Sequence, residues 1–266
     1  MGKRGGTRYR AVLTGAGGGI GAAIARRLAP MADSLILVGR RAAPLQLLRA
    51  ELPGQVQVQL VCGDLADADT LRAVEAAARN ADGLNLLINN AGVCDFHSFE
   101  TQSPEAIRAM LDTNLLAPML LTRQLLPLLR TAPAAQIVNI GSIFGLLGFP
   151  GFAAYGASKA GLKGFSQSLR RELSDTAIAV RHFAPRATST GINSAAVNAM
   201  NDELNTGQDT PEEVAAAFVA FLAGDAWQRT LGGKESFFVL LNKLLPALPD
   251  GAIRKQLQVI RKHLPK

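Results

Sequence analysis

The sequence predicts an α/β protein: one doubly wound parallel sheet with helices on both faces. Two observations predict it. From Arg10 to Leu222, short apolar runs of strand length alternate with longer segments of helical periodicity, a pattern that calls for parallel strands joined by crossover helices. The residues with chemistry to offer also gather just after those strand-length runs, where an open parallel sheet holds its ligands.

Composition sets the frame. The chain has 266 residues, 48% of them hydrophobic, enough for one sizeable core. Residues 1–266 are therefore read as one domain. The formal net charge of +7 is scattered over Lys3, Arg4, Arg8 and Arg10, over Arg40 and Arg41, and over Arg254, Lys255, Arg261, Lys262 and Lys266. No aromatic-interleaved basic stripe accompanies it, so no nucleic-acid partner is expected. An anionic membrane surface would suit only the C-terminal charges. Cys62 and Cys94 have no Cys or His at metal-ligand spacing, so no metal is expected; both read as small core residues of a reduced, cytoplasmic protein. Met1 to Arg10 has no apolar run, and no signal peptide or membrane span is expected.

The first strand is Arg10 to Thr14. Gly15-Ala16-Gly17-Gly18-Gly19-Ile20-Gly21 follows, then a helix to about Met31. Strand, glycine turn and helix make the context of a phosphate cradle: glycines admit a tight turn and a close approach, and the helix N-terminus favours an anion. The second strand, Ser34 to Val38, ends in Gly39-Arg40-Arg41. An acid at this strand end suits a ribose 2′-hydroxyl, whereas an arginine suits a 2′-phosphate. Here there is no acid, and Arg40 comes first. Val56 to Val61 is the third strand, closed by Cys62-Gly63-Asp64-Leu65. Asp64 can bond an adenine amino group or cap the helix that follows, Asp69 to Asn80. The fourth strand, Leu84 to Ile88, ends in Asn89-Asn90-Ala91-Gly92, whose amides can fix neighbouring backbone.

One long helix is expected from Pro104 to about Leu129, kinked at Pro118; Asn114 just before the kink can hold a water. Gln136 to Ile140 is the fifth strand, ending at Ser142. Ile143 to Phe152 reads as an apolar loop lining a greasy pocket. The next helix runs to about Leu173 and puts Tyr155 and Lys159 on one face. A cation beside a phenol favours the phenolate, so Lys159 is expected to lower the Tyr155 pKa and make it a general acid/base. Ala177 to Phe183 is the sixth strand, stopped by Pro185. Arg186 to Asp209 reads as a long polar loop, a functional feature in a compact domain. A helix from Pro211 to Leu222 is capped by Thr210. A short seventh strand between Trp227 and Gly233 precedes an apolar stretch from Phe237 to Leu245, broken by Pro246, Pro249 and Gly251, and an amphipathic segment from Ala252 to His263.

With these residues in place, the chain resembles the short-chain dehydrogenase/reductase family over roughly residues 9 to 223. Thr14 to Gly21 looks like its TGxxxGIG motif, Asn89 to Gly92 like its NNAG motif, and Ser142, Tyr155 and Lys159 like its catalytic Ser and YxxxK. The resemblance implies a Rossmann fold, NADP(H), a small carbonyl or alcohol substrate and a homodimer or homotetramer. It implies catalysis by Asn114, Ser142, Tyr155 and Lys159. It places the cofactor against Thr14, Gly15, Gly17, Gly19, Ile20, Gly21, Arg40, Arg41, Asp64, Leu65, Asn90, Ala91, Gly92, Tyr155 and Lys159, with Pro185, Thr188 and Thr190 at the nicotinamide. Two departures stand out. Arg186 replaces a common glycine and could meet a pyrophosphate, an anionic substrate group or only solvent. Residues 225–266 form an amphipathic extension in place of the usual glycine-rich end, which reads as a lid, an interface or a membrane contact. Residues 186–209 are read as the substrate loop, and the apolar loop and tail favour an acyl, steroid-like or aromatic substrate. The alternative is a non-catalytic NADP(H)-binding regulator or scaffold, against which the full set of catalytic residues weighs.

Overall fold

The structure, a computed structural model, describes residues 8–245 and 247–265. Lys3, Arg4, Pro246 and Lys266 lie outside the described residues. Seven strands form one sheet in the order β3-β2-β1-β4-β5-β6-β7: β1 (Tyr9–Thr14), β2 (Ala32–Gly39), β3 (Gln57–Cys62), β4 (Leu86–Asn89), β5 (Ala135–Ile140), β6 (Ile178–Ala184) and β7 (Gln228–Thr230). Every pairing is parallel. The order reverses between β1 and β4, which opens a crevice beyond their carboxyl ends.

Ten α-helices are described: α1 (Gly19–Leu28), α2 (Ala42–Glu51), α3 (Ala68–Asn80), α4 (Pro104–Leu111), α5 (Ala117–Leu129), α6 (Ala153–Glu172), α7 (Ala195–Glu203), α8 (Pro211–Ala223), α9 (Gly233–Leu244) and α10 (Ala247–His263). Strand side chains alternate between two cores, as a period of two requires. Ala11, Leu13, Leu35 and Leu37 join Ile24, Leu28 and Phe218 of α1 and α8 on one face. Val12, Ile36, Leu87 and Ile137 join Val74, Leu121, Leu125 and Leu169 of α3, α5 and α6 on the other. Thr210 closes α8 with a full capping box, its hydroxyl accepting from the Glu213 N–H while the Glu213 carboxylate accepts from the Thr210 N–H, which satisfies two otherwise unpaired donors.

Several expectations are corrected. The helix from Pro104 is not continuous: a π turn at Asp112–Leu116 separates α4 from α5. Pro118 sits in the first turn of α5, where its missing N–H costs nothing, so the widened turn falls on Asn114 instead. The loop 186–209 contains α7, whose only buried apolar side chains are Val197 and Met200. The helix expected from Ala252 begins at Ala247, because Pro249 falls in its first turn and Gly251 continues it. Cys62 is exposed, not a core residue, and its thiol donates to the Arg40 carbonyl at 3.3 Å.

Candidate active site

A cleft of about 750 Å³ opens at the carboxyl edge of the sheet and is lined by Gly15, Gly17 to Gly21, Arg40, Arg41, Asn90 to Cys94, Ser142, Tyr155, Lys159, Pro185, Thr188 and Thr190. The glycine turn at one end is built by close approach. Gly15 has φ +66°, and a Cβ there would meet the Ala91 Cα at 2.8 Å; a Cβ on Gly21 would lie 2.2 Å from the Gly15 carbonyl oxygen. Only glycine leaves this turn open, with the N-terminus of α1 facing the cleft. Asn90 donates from Nδ2 to the Thr14 carbonyl at 3.0 Å and to the Gly15 carbonyl at 3.3 Å, so the expected bracing by strand-end amides is present.

Thr14 braces the cradle rather than lining it. It is buried, and its Oγ1 accepts from the Asn90 and Ala91 N–H groups at 2.9 and 3.0 Å. Arg40 and Arg41 are exposed at the cleft wall beside Pro44, and no carboxylate among the described residues engages either guanidinium. Asp64 and Leu65 are not among the cleft-lining residues. Asp64 accepts from the Ala66 N–H at 2.9 Å through Oδ1; Leu65 packs into the core over α3.

Tyr155, Lys159 and Ser142 meet at the cleft floor. Lys159 is buried, and its Nζ donates to the Ile140 carbonyl at 3.1 Å and stands 5.9 Å from the Tyr155 ring centroid. Loss of water pulls the Lys159 pKa down to about 8, with the neighbouring Cys94 opposing that shift. Burial raises the Tyr155 pKa above its ordinary 10; Cys94 adds to the shift and a hydrogen bond to Ser142 opposes it. The expected lowering of the Tyr155 pKa is thus overturned here: desolvation of the phenolate outweighs the cation. Burial also pushes the Cys94 thiol up to about 12. Ser142 accepts from the Phe144 N–H at 3.2 Å, and its hydroxyl also bonds the Tyr155 phenol.

Asn114 does not hold a water with its side chain. It is fully buried; Nδ2 donates to the Val93 carbonyl at 2.9 Å and to the Ser158 Oγ at 3.0 Å, and Oδ1 accepts from the Val93 N–H at 2.8 Å. The side chain locks the segment after Gly92 to α6, and the π turn releases backbone carbonyls from the usual helical ladder.

Aromatic side chains wall the inner cleft. Phe144 stacks on Phe149 with centroids 5.0 Å apart and meets Phe152 at 4.7 Å; Phe96 lies 4.9 Å from Phe152. Val197, Phe238 and Ile253 close the wall from α7, α9 and α10. Arg186 has its ends occupied: Nε and Nη2 donate to the Asp209 carboxylate at 2.9 and 2.6 Å, and Nη1 to Glu235 at 3.4 Å. It fastens α9 to the segment before α8, an outcome outside the three readings of the sequence. Thr188 bonds within its own loop, Oγ1 to the Arg186 carbonyl at 2.9 Å, and Thr190 packs over Gly19. Sequence reasoning passed over Cys94, Ser158 and Glu235. The signal for Cys94 was its place two residues beyond Gly92; Glu235 carried none.

An open parallel sheet with a glycine cradle and a Tyr-Lys pair on one edge defines a Rossmann-type nucleotide-binding protein. Residues 10–201 match the family model described as short chain dehydrogenase, and the chain belongs to that oxidoreductase family, whose members act on CH–OH and C=O groups. It is 39% identical over 181 residues to the sulfoacetaldehyde reductase of Chromohalobacter salexigens, covering 67% of this chain and 72% of that one. It is 34% identical over 232 residues to the 3-oxoacyl-[acyl-carrier-protein] reductase of Rickettsia conorii, covering 82% and 90%. Among solved structures, a short-chain dehydrogenase from Sphingobium yanoikuyae in complex with NADPH superimposes with a TM-score of 0.76 at 30% identity, over 90% of this chain and 95% of that one.

Proposed function

We propose that this chain is an NADPH-dependent reductase of an apolar carbonyl compound, working reversibly as an alcohol dehydrogenase. The observation that carries the reading is the continuity of the cleft: the glycine cradle, the Tyr155–Lys159–Ser142 floor and the phenylalanine wall line one cavity. The cradle fits a dinucleotide pyrophosphate because Gly15 and Gly21 let the turn pack tightly on Ala91 and on itself, while Gly18 meets nothing within 4 Å and leaves the N-terminus of α1 open to an anion. Arg40, with Arg41 behind it, fits a 2′-phosphate, and no acid stands at that strand end to favour a 2′-hydroxyl. Asn90, Ala91, Gly92, Pro185, Thr188 and Thr190 complete the holding set.

NADPH, when bound, supplies the hydride. Ser142, beside the Tyr155 phenol, turns its O–H to the substrate oxygen and polarises the carbonyl. Tyr155, protonated at rest, gives its phenolic proton to that oxygen, and its raised pKa means that the phenolate left behind needs a neighbouring cation. Lys159, titrating near neutrality, carries the positive charge that offsets a Tyr155 phenolate. Asn114 fixes the backbone beside them. The wall of Phe144, Phe149 and Phe152, and an Arg186 already committed to Asp209 and Glu235, favour an acyl, steroid-like or aromatic ketone over a small anion. Residues 186–209 and the 225–266 extension shape that substrate end. Leu111, Leu116 and Met119, exposed along α4, the π turn and α5, suit a homodimer or homotetramer.

The test is NADPH oxidation over aldehydes, quinones, steroids and 3-oxoacyl thioesters with the intact protein and with Tyr155→Phe. Loss of the proton donor should slow turnover by about 10²- to 10⁴-fold while NADPH binding persists. Undiminished turnover would remove Tyr155 from the mechanism.

A further inference from the structure

Helix α9 is turned inside out. Its polar residues Glu235 and Asn242, seven apart and so on one face, attach it to the body: Glu235 to Arg186 at 3.4 Å and Asn242 Nδ2 to the Leu146 carbonyl at 3.2 Å. The opposite face carries Phe237, Leu240 and Leu244 at helical spacing, exposed by 61, 54 and 67%. No residue of α9 is buried. A helix that packs on a core shows the reverse pattern. Leu245 and Leu248 extend the outward stripe into α10, and Phe238 is exposed beside it while also lining the cleft. Six large apolar side chains thus stand in solvent within twelve residues, Phe237 to Leu248, at the rim of the cleft. Such a patch marks a docking surface.

Charge decides what docks there. Residues 233–263 contain six Lys or Arg against two acids, and one acid, Glu235, is taken by Arg186. At about 100° per residue, Lys234 and Lys243 fall roughly a quarter turn to either side of the Phe237–Leu244 stripe, the position from which a long cationic side chain reaches an anionic surface while the stripe is buried. Lys255, seven residues after Leu248, continues the basic edge on α10. A second copy of this chain would bring the same patch face to face across a two-fold axis and set like charges together; an anionic lipid surface pairs them. No described helix is long and apolar enough to cross a membrane.

We infer that the outward face of α9 and the start of α10 rest on an anionic lipid bilayer, lying in its interface with the mouth of the cleft towards the acyl layer. The surface requires no turnover, so its failure and that of the reductase reading are separable. The test is flotation of the full-length protein with phosphatidylcholine vesicles and with phosphatidylcholine/phosphatidylglycerol vesicles, at low and high salt. Two variants accompany it, Phe237→Ser/Leu244→Ser and Lys243→Glu/Lys255→Glu, each checked for folding by its melting curve. The intact protein should float with the anionic vesicles, less so at high salt. The charge variant should lose about five-fold in partitioning for each basic residue removed, and the serine variant should lose binding at both salt concentrations. Three results would overturn the inference: no binding to anionic vesicles, equal binding by protein and variants, or a serine variant whose only change by light scattering is from oligomer to smaller species, which would assign the face to a second copy.

Discussion

Lys159→Met should make the protein more stable and inactive. A lysine ordinarily titrates near 10.5, and burial brings Lys159 to about 8. At roughly 1.4 kcal/mol per pH unit between those values, the folded state carries a penalty of about 3 kcal/mol wherever both folded and unfolded chains hold the proton, below pH 8. Between pH 8 and 10.5 the unfolded chain still binds a proton that the fold has released, so stability rises with pH across that window and the penalty is gone above it. Methionine removes the charge and keeps the stem, but forfeits the 3.1 Å bond to the Ile140 carbonyl, worth about 1 to 2 kcal/mol. The net gain at pH 7 is about 1 to 2 kcal/mol, or a melting temperature higher by about 4 °C in a chain of this size. The upward push on Tyr155 is common to the two proteins, and loss of the Lys159 charge pushes Cys94 further up. The assay is thermal unfolding at pH 7 and pH 10, with NADPH oxidation alongside. The advantage of Lys159→Met should shrink or reverse at pH 10. A variant that melts below the intact protein at pH 7, or by the same margin at both pH values, would refute the argument that burial opposes this charge.

Arg40→Ala should weaken NADPH far more than NADH, by about ten-fold or more if the guanidinium meets the 2′-phosphate through charge-assisted bonds; competitive titration with the two nucleotides reads the difference, and equal losses would remove Arg40 from cofactor choice. Asn114→Ala should lower the melting temperature by about 5 to 10 °C, because it strands the half-buried Val93 N–H and carbonyl at about 1 to 3 kcal/mol each; a fall of 2 °C or less would show that the side chain does not lock the segment.

The fold was legible because its signals are local. Strand-length apolar runs, the glycine turn at Gly15 to Gly21 and the capping pair Thr210 and Glu213 are each settled by neighbours in the sequence, and the sheet collects them on one edge. What escaped depends on distant partners. Arg186 is decided by Asp209 and Glu235, 23 and 49 residues on, and no local pattern announces them. Helix α7 hid in polar residues because it buries only Val197, Met200 and Asn201. The direction of the Tyr155 shift was lost for another reason: a Tyr and a Lys four apart reveal the charge pair, but not the depth at which it sits.

That depth has a structural cause. Helix α6 carries Tyr155 and Lys159, and a helix held to a sheet only by apolar contacts can slide along it at small cost, since such contacts are non-directional. Here a buried polar rung fixes it. Asn89 Nδ2 donates to the Thr122 hydroxyl at 3.1 Å and to the Asn139 Oδ1 at 2.8 Å; Asn139 Nδ2 donates to the Ser166 hydroxyl at 2.8 Å. One turn or more closer to the cleft, Ser158 takes the Asn114 amide at 3.0 Å. The Asn89 bonds tie β4 to β5 and α5; the Ser166 and Ser158 bonds then hold α6 at two points, and a slide of α6 by one residue would leave those two unmade in a medium where an unpaired polar group is expensive. The rung therefore sets the axial position of α6, and with it the height of Tyr155 and Lys159 above the strand ends. The same residues that look like an ordinary buried polar patch place the phenol level with Ser142 and beneath the phenylalanine wall.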